Sequence, residues 1–177
     1  YRIDGAALTI EMEATTDAPT IVNLVNHAYF NLAGQGAGDI MDHQLQIEAR
    51  HYLPVDAQLI PTGEVLSVAN TAFDFRQSRP IGAAIPGPGG FDHNFCLSGP
   101  AGADGLRPCL IASDPASDRR MRLSTTEPGV QLYTGAHFAN YGSQPGGGSI
   151  QRMSFGADGT LLALASDTAV EFRDVSS

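Results

Sequence analysis

No apolar run in this chain is long enough to cross a bilayer, so no membrane span is expected. Cysteine is scarce. Cys96 and Cys109 are the only two, too few for a disulfide framework, and they read as small buried thiols in a reducing compartment. Positive charge is also short, with 10 Lys and Arg against 19 Asp and Glu and a net charge of -9. A surface of that sign does not attract nucleic acid or an anionic membrane, so neither is expected as a partner. Charged residues make up 16% against 42% hydrophobic, which excludes a disordered chain. No long amphipathic helix can be traced, and no leader peptide is evident, although the chain starts at Tyr1 rather than Met. A cytoplasmic location is expected.

What the chain does have is glycine and proline, 20 and 11 among 177 residues, the punctuation of many short strands and turns. The length suits one domain with a sizeable core. Leu8, Ile10 and Met12 alternate with Thr9, Glu11 and Glu13, a strand with one wet face. Thr15 to Pro19 is a turn, and Thr20 to Val25 reads as the next strand. His43 to Ala49 alternates again, with Leu45, Ile47 and Ala49 on one side. Tyr52 to Asp56 is extended, and Leu59 to Gly63 turns. Asn70 to Pro80 is an irregular loop, and Pro86 to Gly90 is a Gly/Pro hinge. Cys109–Ser113 and Met121–Thr125 form a hairpin across Asp114–Asp118, and Gly129 to Tyr133 is a further strand. The expected fold class is all-β, a sandwich of sheets.

Two polar knots interrupt these apolar runs. The first is Asn26-His27-Ala28-Tyr29-Phe30-Asn31, delivered by a strand and closed by a Gly-rich tip. The second is Phe91-Asp92-His93-Asn94-Phe95. Polar groups packed this densely at a strand end face a pocket or tie a turn. Taken alone, His27 reads equally as a satisfied structural histidine or as a proton donor working near neutral pH.

The pieces A-T-T-D-A-P-T, N-L-V-N-H-A-Y-F-N-L-A-G, D-H-Q-L-Q-I-E-A, Y-L-P-V-D, L-I-P-T-G-E, F-D-F-R, F-D-H-N-F and E-P-G-V-Q-L-Y-T-G occur in that order over about residues 5–141. Eight such pieces in order resemble the aldose 1-epimerase, or galactose mutarotase, family. The resemblance implies an antiparallel β-sandwich with a sugar site on an open concave sheet. It implies a small-molecule aldohexose as partner, glucose or galactose for example, and neither cofactor nor metal. His27 aligns with the family's general acid. Tyr29, two residues on and on the same face in a strand, resembles a sugar-contacting position. Asp92 resembles the carboxylate that holds sugar hydroxyls, and Gln131 a sugar-binding amide. Asn26 and Asn31 are expected to brace the turn.

Other polar residues take plainer readings. His43 and His51, eight apart, flank a strand and are expected to share a face, without the third ligand a metal site needs. His93 is expected to pack locally on the face opposite Asp92, and Asp74 with Arg76 to pair within their loop. No basic cluster favours a phosphorylated sugar.

The chain also departs from the family pattern. Family members are about twice as long, so the sandwich is expected to be incomplete, with unpaired edges that invite self-association. The family segment preceding this one carries an Arg and another His that position the sugar. The family's general base, a late Glu followed by Thr-Gln, has no counterpart: Glu127 stands beside Pro128, and Glu171 between Val170 and Phe172. The expected division is a partial sandwich over 1–145 and a divergent tail over 146–177 that begins at Gly146-Gly147-Gly148. Asp158-Gly159 is a hairpin signal in that tail, and 149–177 faintly resembles part of a WD40 blade. Two readings follow: an anomer-interconverting enzyme, or a carbohydrate-binding remnant that lacks the base.

Overall fold

Short runs of β-branched and apolar residues between Gly, Pro and Asp turns give strands of two to seven residues. The chain, seen in a computed structural model, is described over residues 1–34, 37–87 and 90–135, with the backbone of 164–165 and 168–174. In chain order the strands are β1 (Arg2–Asp4), β2 (Ala7–Ile10), β3 (Val25–Asn26), β4 (Gln44–Ile47), β5 (Ala49–Leu53), β6 (Leu66–Ser67) and β7 (Arg79–Pro80). After a single 3-10 turn at Gly82–Ala84 come β8 (Asp92–Leu97), β9 (Arg107–Ser113), β10 (Arg119–Thr125), β11 (Gly129–Tyr133), β12 (Leu164–Ala165) and β13 (Thr168–Asp174).

The strands assemble, all by antiparallel pairing, into a seven-stranded sheet in the order β1-β2-β13-β10-β9-β4-β7, a four-stranded sheet β11-β8-β5-β6, and the pair β12-β3. Alternate residues of the two main sheets meet in one core. Leu45, Ile47, Leu110, Ala112, Met121 and Leu123 come from the larger sheet, and Ala49, Tyr52, Phe95, Leu97, Val130 and Leu132 from the smaller. Phe73 stacks on Tyr52 with centroids 3.9 Å apart, and Phe75 meets Phe91 edge-on at 5.4 Å. Burying a side chain of this size stabilises by about 1.5–3 kcal/mol, so this cluster is the main force holding the sheets face to face.

The chain crosses from one sheet to the other at Glu48. Its N–H donates to Cys109 O on the larger sheet (2.8 Å), while its carbonyl accepts from Ser98 N (2.8 Å) and Ser98 Oγ (3.1 Å). The alternation expected over His43–Ala49 is present, but it spans two strands rather than one. Leu45, Ile47 and Ala49 all point inward because both sheets face the same core. His43 and His51 therefore do not share a face. His43 is buried beside the larger sheet, and His51 is exposed on the smaller one.

Thr20–Val25 also differs from the strand expected there. Only Val25 and Asn26 pair, and Ile21 is 97% exposed. β-branched residues favour extended backbone, but a strand needs a neighbour to bond, and Thr20 to Leu24 have none among the described residues. The hairpin signal at Asp158-Gly159 lies outside the described residues. Further on, β13 is inserted between β2 and β10, and β12 pairs with β3.

Candidate functional site

The outward face of the four-stranded sheet follows from register. Across β8 and β11, Asp92 pairs with Tyr133, Asn94 with Gln131 and Cys96 with Gly129. Leu53 and His51 of β5 extend the same rows beyond Asn94 and Cys96. The intervening residues, Phe95, Val130 and Leu132, point into the core, and His93 points the same way. Thr134 sets this register at the strand ends: its Oγ1 accepts from Phe91 N (2.9 Å), and its N–H donates to Phe91 O (3.0 Å). Thr134 and Phe91 are both buried, so the residues next to them, Tyr133 and Asp92, are held side by side.

Gln131 Nε2 donates to Asp92 Oδ1 at 2.7 Å. Gln131 sits directly opposite Asn94, so this bond runs diagonally to the residue two positions earlier on β8. Asn94 leans the other way. A Cβ built on Gly129 would stand 2.5 Å from Asn94 Oδ1, so the amide occupies the space that only glycine leaves.

The first polar knot lies beside this row. The rings of His27 and Tyr29 are 5.0 Å apart, edge-on, and Tyr29 is 6.2 Å from Tyr133. Burial raises the Tyr29 pKa, and the neighbouring Tyr133 and Asp92 raise it further, so the phenol stays protonated as a donor. His27 is exposed and Tyr29 half-buried. The turn is braced as expected. Asn26 Oδ1 accepts from Ala28 N (3.1 Å), Asn31 Oδ1 accepts from Ala33 N (3.0 Å), and Asn31 Nδ2 donates to Gly38 O (2.9 Å). The far end of the knot is clamped at Leu32. Its N–H donates to His43 Nε2 (3.0 Å), and its carbonyl accepts from Ser117 Oγ (3.0 Å) and an Arg119 guanidinium nitrogen (2.8 Å).

The structure thus brings His27, Tyr29, Asp92 and Gln131 into one chain of neighbours linked through Tyr133. Sequence reasoning missed Tyr133 and Asn94 as members of this face. Both stand two residues from a residue already singled out, so the period of a strand was the signal. The two glutamates considered for a base lie elsewhere. Glu127 is in the β10–β11 connection, and Glu171 is on β13 in the larger sheet, in register with Arg122 and Ala7. Asp92 is the one carboxylate on the outward rows of β5, β8 and β11.

His93 packs edge-on against Phe73 at 4.7 Å, and burial lowers its pKa. Asp74 forms a two-pronged pair with Arg76, each contact 2.8 Å, which pulls the carboxyl pKa to about 2. Cys109 is buried and Cys96 half-buried, both as free thiols. Among the described residues no group of three His, Cys, Asp or Glu is placed to hold a metal ion, and no helix is long and apolar enough to cross a membrane.

The chain is similar to galactose mutarotases from Bos taurus and Homo sapiens, each 47% identical over 137 residues, covering 76% of this chain and 39% of the relative. It is 37% identical over 142 residues to the aldose 1-epimerase of Escherichia coli, covering 40% of that protein. The chain therefore spans about two-fifths of the length of these relatives. Among solved structures, a galactose 1-epimerase from Lactobacillus acidophilus superposes with TM-score 0.62 at 27% identity, over 85% of this chain and 48% of that one. A GalM/aldose epimerase homologue from C. elegans shares the fold with TM-score 0.73 at 20% identity, over 97% of this chain and 57% of that one. The sequence model of the aldose 1-epimerase family matches residues 1–159, nearly the whole chain, and the chain belongs to that family.

Proposed function

We propose that this chain interconverts the α and β anomers of aldohexoses such as glucose and galactose, with His27 as general acid and Tyr29, Asp92 and Gln131 holding the sugar. Mutarotation opens and recloses a hemiacetal. A base takes the proton of the anomeric hydroxyl, an acid protonates the ring oxygen, the C1–C2 bond rotates, and the ring closes on its other face. Only protons move, so imidazole and carboxylate groups suffice. A neutral sugar offers hydroxyls and apolar ring faces, and its site needs fixed carboxylates and amides beside an aromatic wall. The observation that carries this reading is the 2.7 Å Gln131–Asp92 bond on the outward face of the four-stranded sheet, with the Tyr29 and Tyr133 rings beside it. The exposure of His27 fits a group that must meet both substrate and solvent. The free thiols fit a reducing compartment, and we place the chain in the cytoplasm.

One observation favours a second reading, a sugar-binding chain with impaired turnover. The only carboxylate on the outward rows is Asp92, and it is already engaged by Gln131. Losing one acid–base partner costs about 10²–10⁴ in rate. Polarimetry of α-glucose and α-galactose with the 177-residue chain separates the two. A rate above spontaneous exchange, proportional to protein and lost in His27→Ala, supports the enzyme. A baseline rate from a folded chain that still binds galactose establishes the second reading.

A further inference from the structure

Along β8 the backbone groups turn alternately to the two neighbouring strands. Phe91 O accepts from Thr134 N–H and Leu97 N–H donates to Pro128 O, so the odd-numbered residues face β11. The even-numbered residues face β5. Asn94 pairs there with Leu53, and Ser98 N–H, just past the strand, donates to Glu48 O. Asp92 belongs to this even set, and its N–H points beyond Leu53, the last residue of β5 to pair with β8. The next stretch of chain bonds to itself instead: Thr62 N–H donates to Pro54 O, and Val55 bridges to Pro61.

A side chain takes that N–H. Asp92 N–H donates to Nδ1 of His93 at 3.2 Å. The imidazole is held in turn by two aromatic rings, edge-on to Phe73 at 4.7 Å and to Tyr52 at 6.1 Å. An imidazole that accepts at Nδ1 is neutral and carries its proton on Nε2.

We propose that His93 is a positioning residue of the sugar site: its neutral ring, seated on Tyr52 and Phe73, fixes the backbone at Asp92 and so aims the carboxylate that Gln131 holds from β11. This rests on the reading of Asp92 as the carboxylate that binds sugar hydroxyls. Protonating Nδ1 removes the acceptor and sets an N–H against the Asp92 N–H. Facing the ring are Asp92 on its own strand, Tyr52 on β5 and Phe73 in the β6–β7 connection, and Asp92 is the one charge acting on it among the described residues. Burial outweighs the pull of that carboxylate, so the neutral form persists below the ordinary 6.5. Sugar affinity therefore holds through neutral pH and falls once the folded His93 takes up its proton.

Calorimetric titration of the 177-residue chain with galactose from pH 7.5 to 5, beside two variants, tests this. His93→Asn places an amide oxygen where Nδ1 stood and does not titrate. His93→Leu fills the same space and accepts nothing. At pH 7.5 the asparagine variant is expected to bind as the parent does, and the leucine variant about tenfold more weakly. Toward pH 5 the parent loses affinity and the asparagine variant keeps more of it. Far-UV circular dichroism shows that each variant is folded. If His93→Leu does not fold, the parent and His93→Asn profiles decide. A folded His93→Leu that binds galactose as tightly as the parent overturns the role of His93 and leaves that of Asp92 standing. So does a His93→Asn variant that follows the parent's pH profile or binds as weakly as His93→Leu. A folded parent that binds no galactose overturns the reading of Asp92, and this inference with it.

Discussion

Gln131 and Asp92 lie 39 residues apart in sequence and meet across the β8–β11 ladder, amide to carboxylate at 2.7 Å. The bond fixes the carboxylate of Asp92 and the amide of Gln131 in one orientation on the outward face of the four-stranded sheet. That is how a site recognises hydroxyls in a set stereochemistry: acceptors and donors are held in place before the ligand arrives.

If Gln131 and Asp92 hold the sugar as proposed, removing Gln131 should cost binding more than stability. A hydrogen bond to a charged group is worth about 1.5–3 kcal/mol, so Gln131→Ala is expected to weaken galactose binding by about tenfold or more. Both side chains are half-buried, and water can replace the lost partner, so the urea midpoint should barely move. Gln131→Glu should bind worse than Gln131→Ala at neutral pH, because two carboxylates would share one place. Calorimetric titration with galactose checks both, and an unchanged affinity in Gln131→Ala removes this pair from the site.

Much of the fold could be read from the chain itself. Gly129–Tyr133 is a strand in both readings, and Cys109–Ser113 with Met121–Thr125 became β9 and β10, extended back to Arg107 and Arg119. What could not be read was anything set by which strand lies beside which. The alternation through Leu45, Ile47 and Ala49 gives no hint that the chain changes sheets at Glu48, since both inner faces point to one core. The diagonal from Gln131 to Asp92 depends on a register fixed by Thr134 and Phe91. Thr20–Val25 has the composition of a strand, but pairing requires a partner that composition does not name.

Gly129 and Asn94 form a steric pair. An added methyl at Gly129 would stand 2.5 Å from Asn94 Oδ1, so Gly129→Ala must rotate the amide away. The crowding is expected to cost about 1–2 kcal/mol, offset in part by the lower chain entropy of alanine. Asn94→Ala in the same chain removes the obstacle, and the double variant should unfold close to the parent in urea. Additive losses would show that the two residues do not act on each other.

Asp74 and Arg76 should shape the acid end of the stability curve. The carboxyl falls from its ordinary 3.8 to about 2, chiefly through the hydrogen bonds from Arg76. A depressed folded pKa contributes stability that is complete above about pH 4 and is lost as pH falls through about 2. Arg76 is exposed and Asp74 half-buried, and solvent screening keeps the effect small. Asp74→Asn should flatten this part of the curve in urea titrations between pH 4 and 2, and leave stability at pH 7 lower than the parent's.

His43 acts in the opposite way, through its neutral form. Its Nε2 is the acceptor for Leu32 N–H, and protonation would turn that acceptor into a donor facing a donor. Burial lowers its pKa from the ordinary 6.5 more than Asp114, Asp39 and Asp42 raise it. A histidine with a lowered folded pKa leaves stability unaffected above about pH 6.5. Below that the unfolded chain takes up a proton the folded chain refuses, so stability falls until the folded group titrates. His93, also lowered by burial, adds a loss of the same sign. His43→Ala leaves a buried N–H without its acceptor and should cost about 1–3 kcal/mol at pH 7.5, before any loss of packing. His43→Gln keeps an acceptor oxygen within reach and should cost less, while removing the titration. Urea midpoints from pH 7.5 to 5 should then fall less steeply in His43→Gln than in the parent, with His93 contributing to the slope that remains. If the two slopes are equal, His43 does not set the acid limb, and the clamp on Leu32 is indifferent to its charge.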